Sequence, residues 1–454
     1  MIDGDKAQSS ASAEQTISRQ LARQLIDGGR VATTILELWQ RTRMDWGFVT
    51  DRLSSVFRRE RWIGSHERRF ISETLYGLVR HLRTIDFAIS LGSRRTASPR
   101  DLDRLLALLV LEGELEPRDA ARASPALDWA RCRTVHDVIA QEKDPVKRLA
   151  LAASLPDWLA RRLHADWGAE AFALAAALNQ RAPMTLRANT LIGDRDALAR
   201  ELAGERLTTS PGRWCDSALI VESRTNLFAT AAFTRGAFEA QDEGSQLLAE
   251  LACPTTPRPL VIDLCAGAGG KTLAIAARLG NRGRIIATDV DGKKLEELRR
   301  RARRAKVSIA QAVTIDDGEW PPQLATSQGK ADVVLVDAPC SGIGALRRNP
   351  ETRWRLSEDD VRNLTNTQRR LLERAATLCA PGGRIVYATC TLLRAENQDV
   401  VAAVLAAQPR LQPVALADVL GARAPALGGE TFTVTPHQHG TDGFFAQILT
   451  TRGP

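Results

Sequence analysis

The sequence predicts a multidomain chain: an all-α N-terminal region, a small α+β connector, and a C-terminal α/β unit on an open, largely parallel sheet. Three observations predict it. From about residue 15 to 150, apolar residues recur every three or four positions. Residues 236–452 alternate the apolar strands VIDLC, RIIATDV, DVVLVDAP and GRIVYATC with helical patterns, which implies parallel pairing with helices on both faces. Between these regions, helix and strand patterns mix within a short span. A chain of 454 residues is long enough for two or three domains, each with its own core.

Composition narrows the class. Apolar residues make up 44% and charged residues 26%, as in ordinary soluble globular chains. No apolar run is long enough to cross a membrane. Lys and Arg outnumber Asp and Glu by 62 to 54, and a net charge of +8 favours a polyanionic partner without proving one. The seven cysteines are an odd number without paired or zinc-like spacing, so reduced thiols, a cytoplasmic location and no metal are expected. Residues 1–14 are small and polar and read as a disordered tail rather than a signal peptide.

The helical region, 15–150, contains periodic stretches at Ile17 to Ile26, Val31 to Arg41, Val49 to Arg59 and Glu67 to Ile89. Phe70, Leu75, Leu78, Val79 and Leu82 form one apolar stripe. Arg58, Arg59, Arg61, Arg68, Arg69, Arg80 and Arg83 lie opposite, as a solvated face or an RNA-facing patch. RTASPR and EPRDAARASP read as turn-rich interruptions. The connector, 151–235, opens with a helical pair, Pro156 to Trp167 and Ala169 to Asn179. A strand in MTLRANTL ends near Arg187 and Asn189; a helix from Asp194 to Leu202 and a strand at Ala218 to Val221 complete the unit.

The unit 236–454 is organised around Leu260 to Thr272, LVIDLCAGAGGKT: a buried strand, a glycine turn and a helix starting near Lys271. Small residues let a ligand approach the backbone, and a helix start offers free N–H groups. The spacing fits neither the P-loop nor the dinucleotide fingerprint, which argues against a dinucleotide-dependent oxidoreductase. Strand RIIATDV ends in Asp289, placed to take ribose hydroxyls or to cap the next helix, for which Asp291 serves equally. That helix carries Arg299, Arg300, Arg301, Arg303, Arg304 and Lys306. Asp316 and Asp317 follow a third strand, Ala312 to Ile315; one of them is expected to bind an adenine amino group, with Asp317 before the glycine preferred, though turn chemistry explains both.

Two cysteines are more specific. Cys340 in DAPCSG and Cys390 in YATCT each follow an apolar strand, so both sit where open α/β sheets bind ligands. Cys132, Cys215, Cys253 and Cys379 lack that setting and read as structural.

DLCAGAGGKT, DAPCSGIGALRRNPETRW, YATCTLLRAEN and HGTDGFFAQIL resemble the Sun (Fmu) family of RNA cytosine carbon-5 methyltransferases. QDEGSQL, and the order of helical then catalytic domains, resemble its ribosomal-RNA branch, whose N-terminal domain is like the NusB antitermination factor. GSHERRFISETLYGLVRHLRTID carries that second likeness. The resemblance spans about 70 to 450 and implies a Rossmann-like class I methyltransferase domain that binds S-adenosylmethionine. One departure is Ala268, where the family commonly has proline; it bears on cofactor affinity.

By this resemblance the substrate is a cytosine in RNA, 16S ribosomal RNA or a small-subunit assembly intermediate, and the protein is expected to be monomeric. Cys390 attacks carbon 6 and Cys340 assists release, with Asp337 and Lys271 completing the catalytic set. Asp263, Cys265, Ala266, Gly267, Ala268, Gly269, Gly270, Lys271, Asp289, Asp316, Asp317 and Asp337 are the expected cofactor residues. Arg187, Asn189, Arg347, Arg348 and Arg353 are the expected RNA contacts. A transfer-RNA cytosine methyltransferase and a catalytically silent assembly factor are the alternatives. A DNA-type enzyme would use the cysteine after proline instead, leaving Cys390 without a role.

Overall fold

The computed structural model describes residues 15–93, 98–222, 226–316 and 318–452. The expected tail at 1–14 lies outside them, as does Asp317. The chain divides into two compact units, one of residues up to Gln180 together with Leu346–Ser357, the other of Arg181–Ala345 and the chain from Glu358 onward.

The first unit is helical. Its main helices are α1 (Arg30–Asp45), α2 (Val49–Arg59), α3 (Ser65–Gly92), α4 (Asp101–Leu111), α5 (Pro145–Ala152), α6 (Asp157–Trp167) and α7 (Ala171–Leu178). The periodic stripe is its core: Phe70, Leu75, Leu78 and Val79 of α3 pack with Leu105, Leu108 and Leu109 of α4. EPRDAARASP is not an interruption, because Pro117 opens the helix Pro117–Ala123 from its first position, where proline removes no hydrogen bond. Several arginines of the basic face tie the unit together. Arg83 donates to Leu155 O at 2.7 Å and pairs with Asp157, while Arg80 donates to Arg347 O at 3.0 Å.

The expected connector contributes to both compact units. Its helices α6 and α7 belong with the first unit, and its strands belong with the second. There β1 (Met184–Ala188), β2 (Thr209–Pro211), β3 (Ala218–Val221) and β4 (Phe238–Ala240) form an antiparallel sheet in the order β2-β3-β1-β4. Strand β4 lies past residue 235, so the sheet runs beyond the expected boundary. Helix α8 (Arg195–Gly204) is capped by Asp194, which accepts from Ala197 N.

The principal sheet contains β5 (Leu260–Asp263), β6 (Arg284–Asp289), β7 (Ala310–Thr314), β8 (Ala331–Asp337), β9 (Cys379–Thr389), β10 (Leu411–Pro413), β11 (Phe432–Val434) and β12 (Phe444–Thr451). Its order is β10-β12-β9-β8-β5-β6-β7, with β11 paired to β12. Strands β5 to β9 pair in parallel and β12 runs antiparallel to β9. Their fully buried residues, such as Val261, Ile262, Val333, Val334, Val386 and Tyr387, suit a sheet covered on both faces. The covering helices are α9 (Glu243–Leu251), α10 (Gly270–Arg278), α11 (Gly292–Arg304), α12 (Glu358–Leu378) and α13 (Gln398–Ala407). Strands β5 and β8 are parallel neighbours, but from β5 the strand order steps one way to β6 and β7 and from β8 the other way to β9, and a crevice at such a switch point is where open α/β sheets take their ligands. No helix among the described residues is long and apolar enough to cross a membrane.

Candidate active site

The glycine turn after β5 adopts a conformation that glycine alone takes easily. Gly267 and Gly269 have φ of +54° and +85°, and Gly269 caps α10. A Cβ on Gly269 would meet Leu298 Cγ at 2.6 Å, so the turn packs closely on α11. Ala266 N donates to Thr288 O at 2.8 Å, and Gly267 N donates to Asp289 Oδ2 at 2.9 Å. Asp289 also accepts from Asp291 N, while Asp291 itself caps α11. The two aspartates therefore divide the roles left open in the sequence: Asp291 caps, and Asp289 shapes the loop edge. Cys265 and Gly270 complete the turn, and burial pushes the Cys265 thiol up.

Ala268 stands at the turn's outer bend, and its carbonyl accepts from Arg301 at 2.8 Å. Arg301 is fixed in turn by the buried Glu239 at 2.9 Å, and Arg304 takes the other oxygen of Glu239 at 2.5 Å. Two arginines of the basic helix thus serve the turn and β4, whereas Arg299, Arg300 and Arg303 are exposed.

Asp263 is 1% exposed and accepts from Thr272 Oγ1 at 2.6 Å, but its Oδ1 is buried without a partner among the described residues. Burial raises its carboxyl to about 7; Thr272 and Lys271 oppose that shift, and Asp337 and Asp289 add to it. An orphaned acceptor beneath an open glycine turn fits a ligand with polar hydrogens. Across the switch point, Lys271 Nζ donates to Asp337 Oδ2 at 2.6 Å. Burial works against the Lys271 charge, but Asp337, Cys390 and Asp263 outweigh it and raise the ammonium pKa. At the far edge, Asp316 is exposed and accepts from Gly318 N, beyond the end of β7.

Cys340 and Cys390 meet at the ends of β8 and β9 with their sulfurs 3.3 Å apart, and Cys390 N donates to Cys340 Sγ. Both are free thiols. The contact with Cys390, then burial, raises the Cys340 thiol well above its usual pKa. A fully buried carboxylate binds the two loops: Glu396 accepts from Ser341 N at 2.8 Å, Ser341 Oγ at 2.5 Å and Gln368 Nε2 at 3.0 Å. Gly344 N donates to Cys390 O, and a Cβ on Gly344 would strike Gly443 O at 2.1 Å, which explains the second glycine of SGIG. The expected catalytic group Cys390, Cys340, Asp337 and Lys271 lies within this one unit.

Sequence reasoning missed Glu396, Gln368 and Val290, and read Arg301 only as one cation of a basic helix. Glu396 lies within the AEN that closes one of the quoted motifs, and that was its signal. Val290 is 69% exposed beside Asp289, an unusual place for a valine.

The expected RNA contacts need correction. Arg353 is fully buried in the first unit, where Nη1 donates to Ala153 O at 2.9 Å and Asn179 Oδ1 at 2.7 Å. Arg347 is 6% exposed in the same segment, whereas Arg348 is half-buried. Asn189 spends its amide on Gly236 O and Ala305 O, both at 2.9 Å, and closes the turn after β1. Arg187 is 5% exposed, with Nε on Gln241 Oε1 at 2.6 Å. Arg353 and Asn189 are framework, because main-chain carbonyls rather than solvent surround their polar groups, and Arg347 is buried. No metal-like cluster of His, Cys, Asp and Glu occurs among the described residues.

A family model described as 16S rRNA methyltransferase RsmB/F matches residues 253–450, and one described as the RsmF/B-like ferredoxin-like domain matches 155–227. A probable ribosomal RNA small subunit methyltransferase B of Synechocystis is 32% identical, covering 84% of this chain and 91% of its own. A protein of Bacillus subtilis with the same description is 32% identical over 68% of this chain and 69% of its own. The crystal structure of PH0851 matches with a TM-score of 0.73 at 25% identity, covering 92% of this chain and 98% of its own. From the sheet order, the glycine turn and these likenesses together, the chain belongs to the RsmB/F family of S-adenosylmethionine-dependent RNA methyltransferases.

Proposed function

We propose that the protein methylates carbon 5 of a cytosine in RNA through a covalent bond between Cys390 and carbon 6. The RNA is 16S ribosomal RNA, free or in a small-subunit assembly intermediate. The observation that carries this reading is the pair of thiols 3.3 Å apart, beside the Lys271–Asp337 pair. One nucleophile needs one thiol; two in contact suit a reaction in which a covalent bond is made and later undone.

S-adenosylmethionine supplies an electrophilic methyl group on a sulfonium when bound. Asp289 would take its ribose hydroxyls, the backbone of Gly267 to Gly270 its amino-acid end, Val290 an apolar face of the adenine and Asp316 the adenine amino group. Asp263, its carboxyl pKa raised by burial, offers Oδ1.

Carbon 5 of cytosine is a poor nucleophile until a thiolate adds to carbon 6 and leaves carbon 5 enamine-like. Cys390 makes that bond. Cys340, held as a thiol, donates to the Cys390 sulfur, and the Lys271 ammonium adds the positive field that a thiolate needs. Asp337, sharing a proton with the base, hydrogen-bonds N3 and stabilises charge developing there. Once carbon 5 is methylated its proton passes to water, the electron pair of that bond restores the 5,6 double bond, and the carbon–sulfur bond breaks with Cys390 leaving as the thiolate. Cys340 assists that release. The base must leave its stack to reach this crevice, so a loop or a flipped nucleotide is the target.

The test is bisulfite sequencing of small-subunit RNA from a strain with and without the gene, and of RNA treated with the purified protein. A protected cytosine that disappears in the deletion and returns in vitro is expected. Methyl label on another base or on ribose would overturn the reading.

A further inference from the structure

We propose that a cavity between β1, α9 and α10 binds a phosphate group through Arg187. The cavity is about 250 Å³ and is walled by Arg187, Thr190, Ser217, Gln246, Ala274 and Arg278. Arg187 is 5% exposed, and only its Nε is engaged, by Gln241. Nη1 and Nη2 make no hydrogen bond or ion pair with any described residue. A buried guanidinium normally has a carboxylate or several carbonyls around it, since its charge is costly to strip of water.

The neighbouring carboxylates are already committed. Glu239 stands opposite Arg187 in the β1–β4 register, but its oxygens hold Arg301 and Arg304. Arg278, the second cation of the wall, pairs with Glu250 at 2.5 Å, and Glu250 also holds Arg423. Asp194 and Asp216 line the cavity too, yet both are exposed and screened by water, and Asp194 accepts from Ala197 N. Arg195 is paired with Asp196. The floor therefore carries uncompensated positive charge. Burial, with Arg301 and Arg278, lowers the Arg187 pKa to about 10 despite Glu239, as expected for a cation short of counter-charge.

Two free, coplanar guanidinium nitrogens match two oxygens of a phosphate better than a single-atom anion. Ser217 and Thr190 spend their protons on Gln246 and Ala277, so the guanidinium supplies the recognition. Gln241, which orients Arg187, has its amide nitrogen 3.8 Å from where a Cβ on Gly270 would stand. An occupant is thus one side chain removed from the start of the cofactor helix. The phosphate can be a free phosphate or a phosphodiester of the RNA strand.

Inorganic phosphate titrated into the full chain at constant ionic strength, set with chloride, tests this by the thermal midpoint and the phosphorus NMR line width. A higher midpoint and a broadened line are expected for the native chain. Arg187→Gln should weaken the response about tenfold or more, with Arg187→Lys intermediate because it keeps charge but loses the fork. Phosphate acting no differently from chloride, or an undiminished response in Arg187→Gln, would overturn the site. If the glutamine variant does not fold, the lysine variant carries the comparison, and an undiminished response there overturns the site equally. A cytosine-containing oligoribonucleotide is then added. Displacement of phosphate assigns the site to the RNA backbone, and simultaneous binding assigns it to free phosphate. This second arm rests on the RNA-methyltransferase reading and the first does not, so the two can fail separately.

Discussion

The sulfurs of Cys340 and Cys390 lie 3.3 Å apart, and their loops are joined by hydrogen bonds rather than by a bond between the sulfurs. Cys340, with its raised pKa, is the poorer candidate for a resting thiolate, and Cys390 is the one with Lys271 beside it. Cys390→Ala should bind RNA and cofactor but form no adduct, losing on the order of 10³-fold or more in turnover. Cys340→Ala should attack, accept the methyl group and stall. That species is protein linked to RNA, a slow band on a denaturing gel that vanishes in the double variant. The reverse pattern, with Cys390→Ala active and Cys340→Ala adduct-free, would assign a DNA-type mechanism.

A second prediction concerns Asp263, whose carboxyl sits at about 7 in the folded chain against 3.8 ordinarily. The folded state binds more protons than the unfolded state between those values. Its contribution to stability is therefore complete below about pH 4 and is lost as pH rises through about 7. The gap of about three units corresponds to on the order of 4 kcal/mol. His81 shifts the opposite way, with burial the first cause, to about 4, so the raw pH profile mixes two slopes. The clean measurement is urea unfolding of wild type and Asp263→Asn at each pH. Their difference should move against wild type across that window, and a constant difference would refute the shifted pKa.

How much of this was legible depends on whether a feature is local. Strand, glycine turn and helix start lie within Leu260 to Thr272, and the spacing of apolar residues and glycines suffices to read them. Cys340 and Cys390 could be placed because each follows its own apolar strand. Glu396 could not, since its partners Ser341 and Gln368 come from other parts of the chain and only the fold unites them. Arginines misled most. Charge alone reads as surface, yet Arg353 has carbonyls for partners and Arg301 a buried glutamate, and neither arrangement leaves a trace at nearby positions.

Arg353 also changes what truncation should do. The segment Leu346–Ser357 begins a few residues after Cys340 but is built into the helical unit, where Leu346, Thr352 and Arg353 are buried. Removing residues 1–180 would strip that segment of its partners. Such a chain should melt earlier and lose activity outright, not merely need more RNA. Arg353→Ala should cost about 2–4 kcal/mol, since several charge-assisted bonds to buried carbonyls disappear together. Denaturant unfolding of the full chain measures it, and a loss below about 0.5 kcal/mol, the range of ordinary surface changes, would deny Arg353 a structural role.

The final prediction follows from the bond between Arg301 and the Ala268 carbonyl at 2.8 Å. Proline at 268 would stiffen the turn through its own ring; alanine leaves that bend to be held from outside. Arg301 does so, braced by Glu239 and supported by the packing of Gly269 on Leu298. Arg301→Gln should leave the sheet intact but let the turn sample other conformations, so cofactor binding bears the cost of reordering it. Losing one charge-assisted bond to the turn corresponds to about 1.5–3 kcal/mol, or roughly 10- to 150-fold in cofactor Kd. At saturating cofactor, kcat should remain near wild type, because no group at the cysteines has moved. Arg301→Lys should restore part of the affinity by keeping one contact of the two. Calorimetry with S-adenosylhomocysteine and a kcat-against-KM comparison read this directly. Unchanged affinity, or a fall in kcat with KM constant, would show that Arg301 serves the sheet and not the cofactor turn.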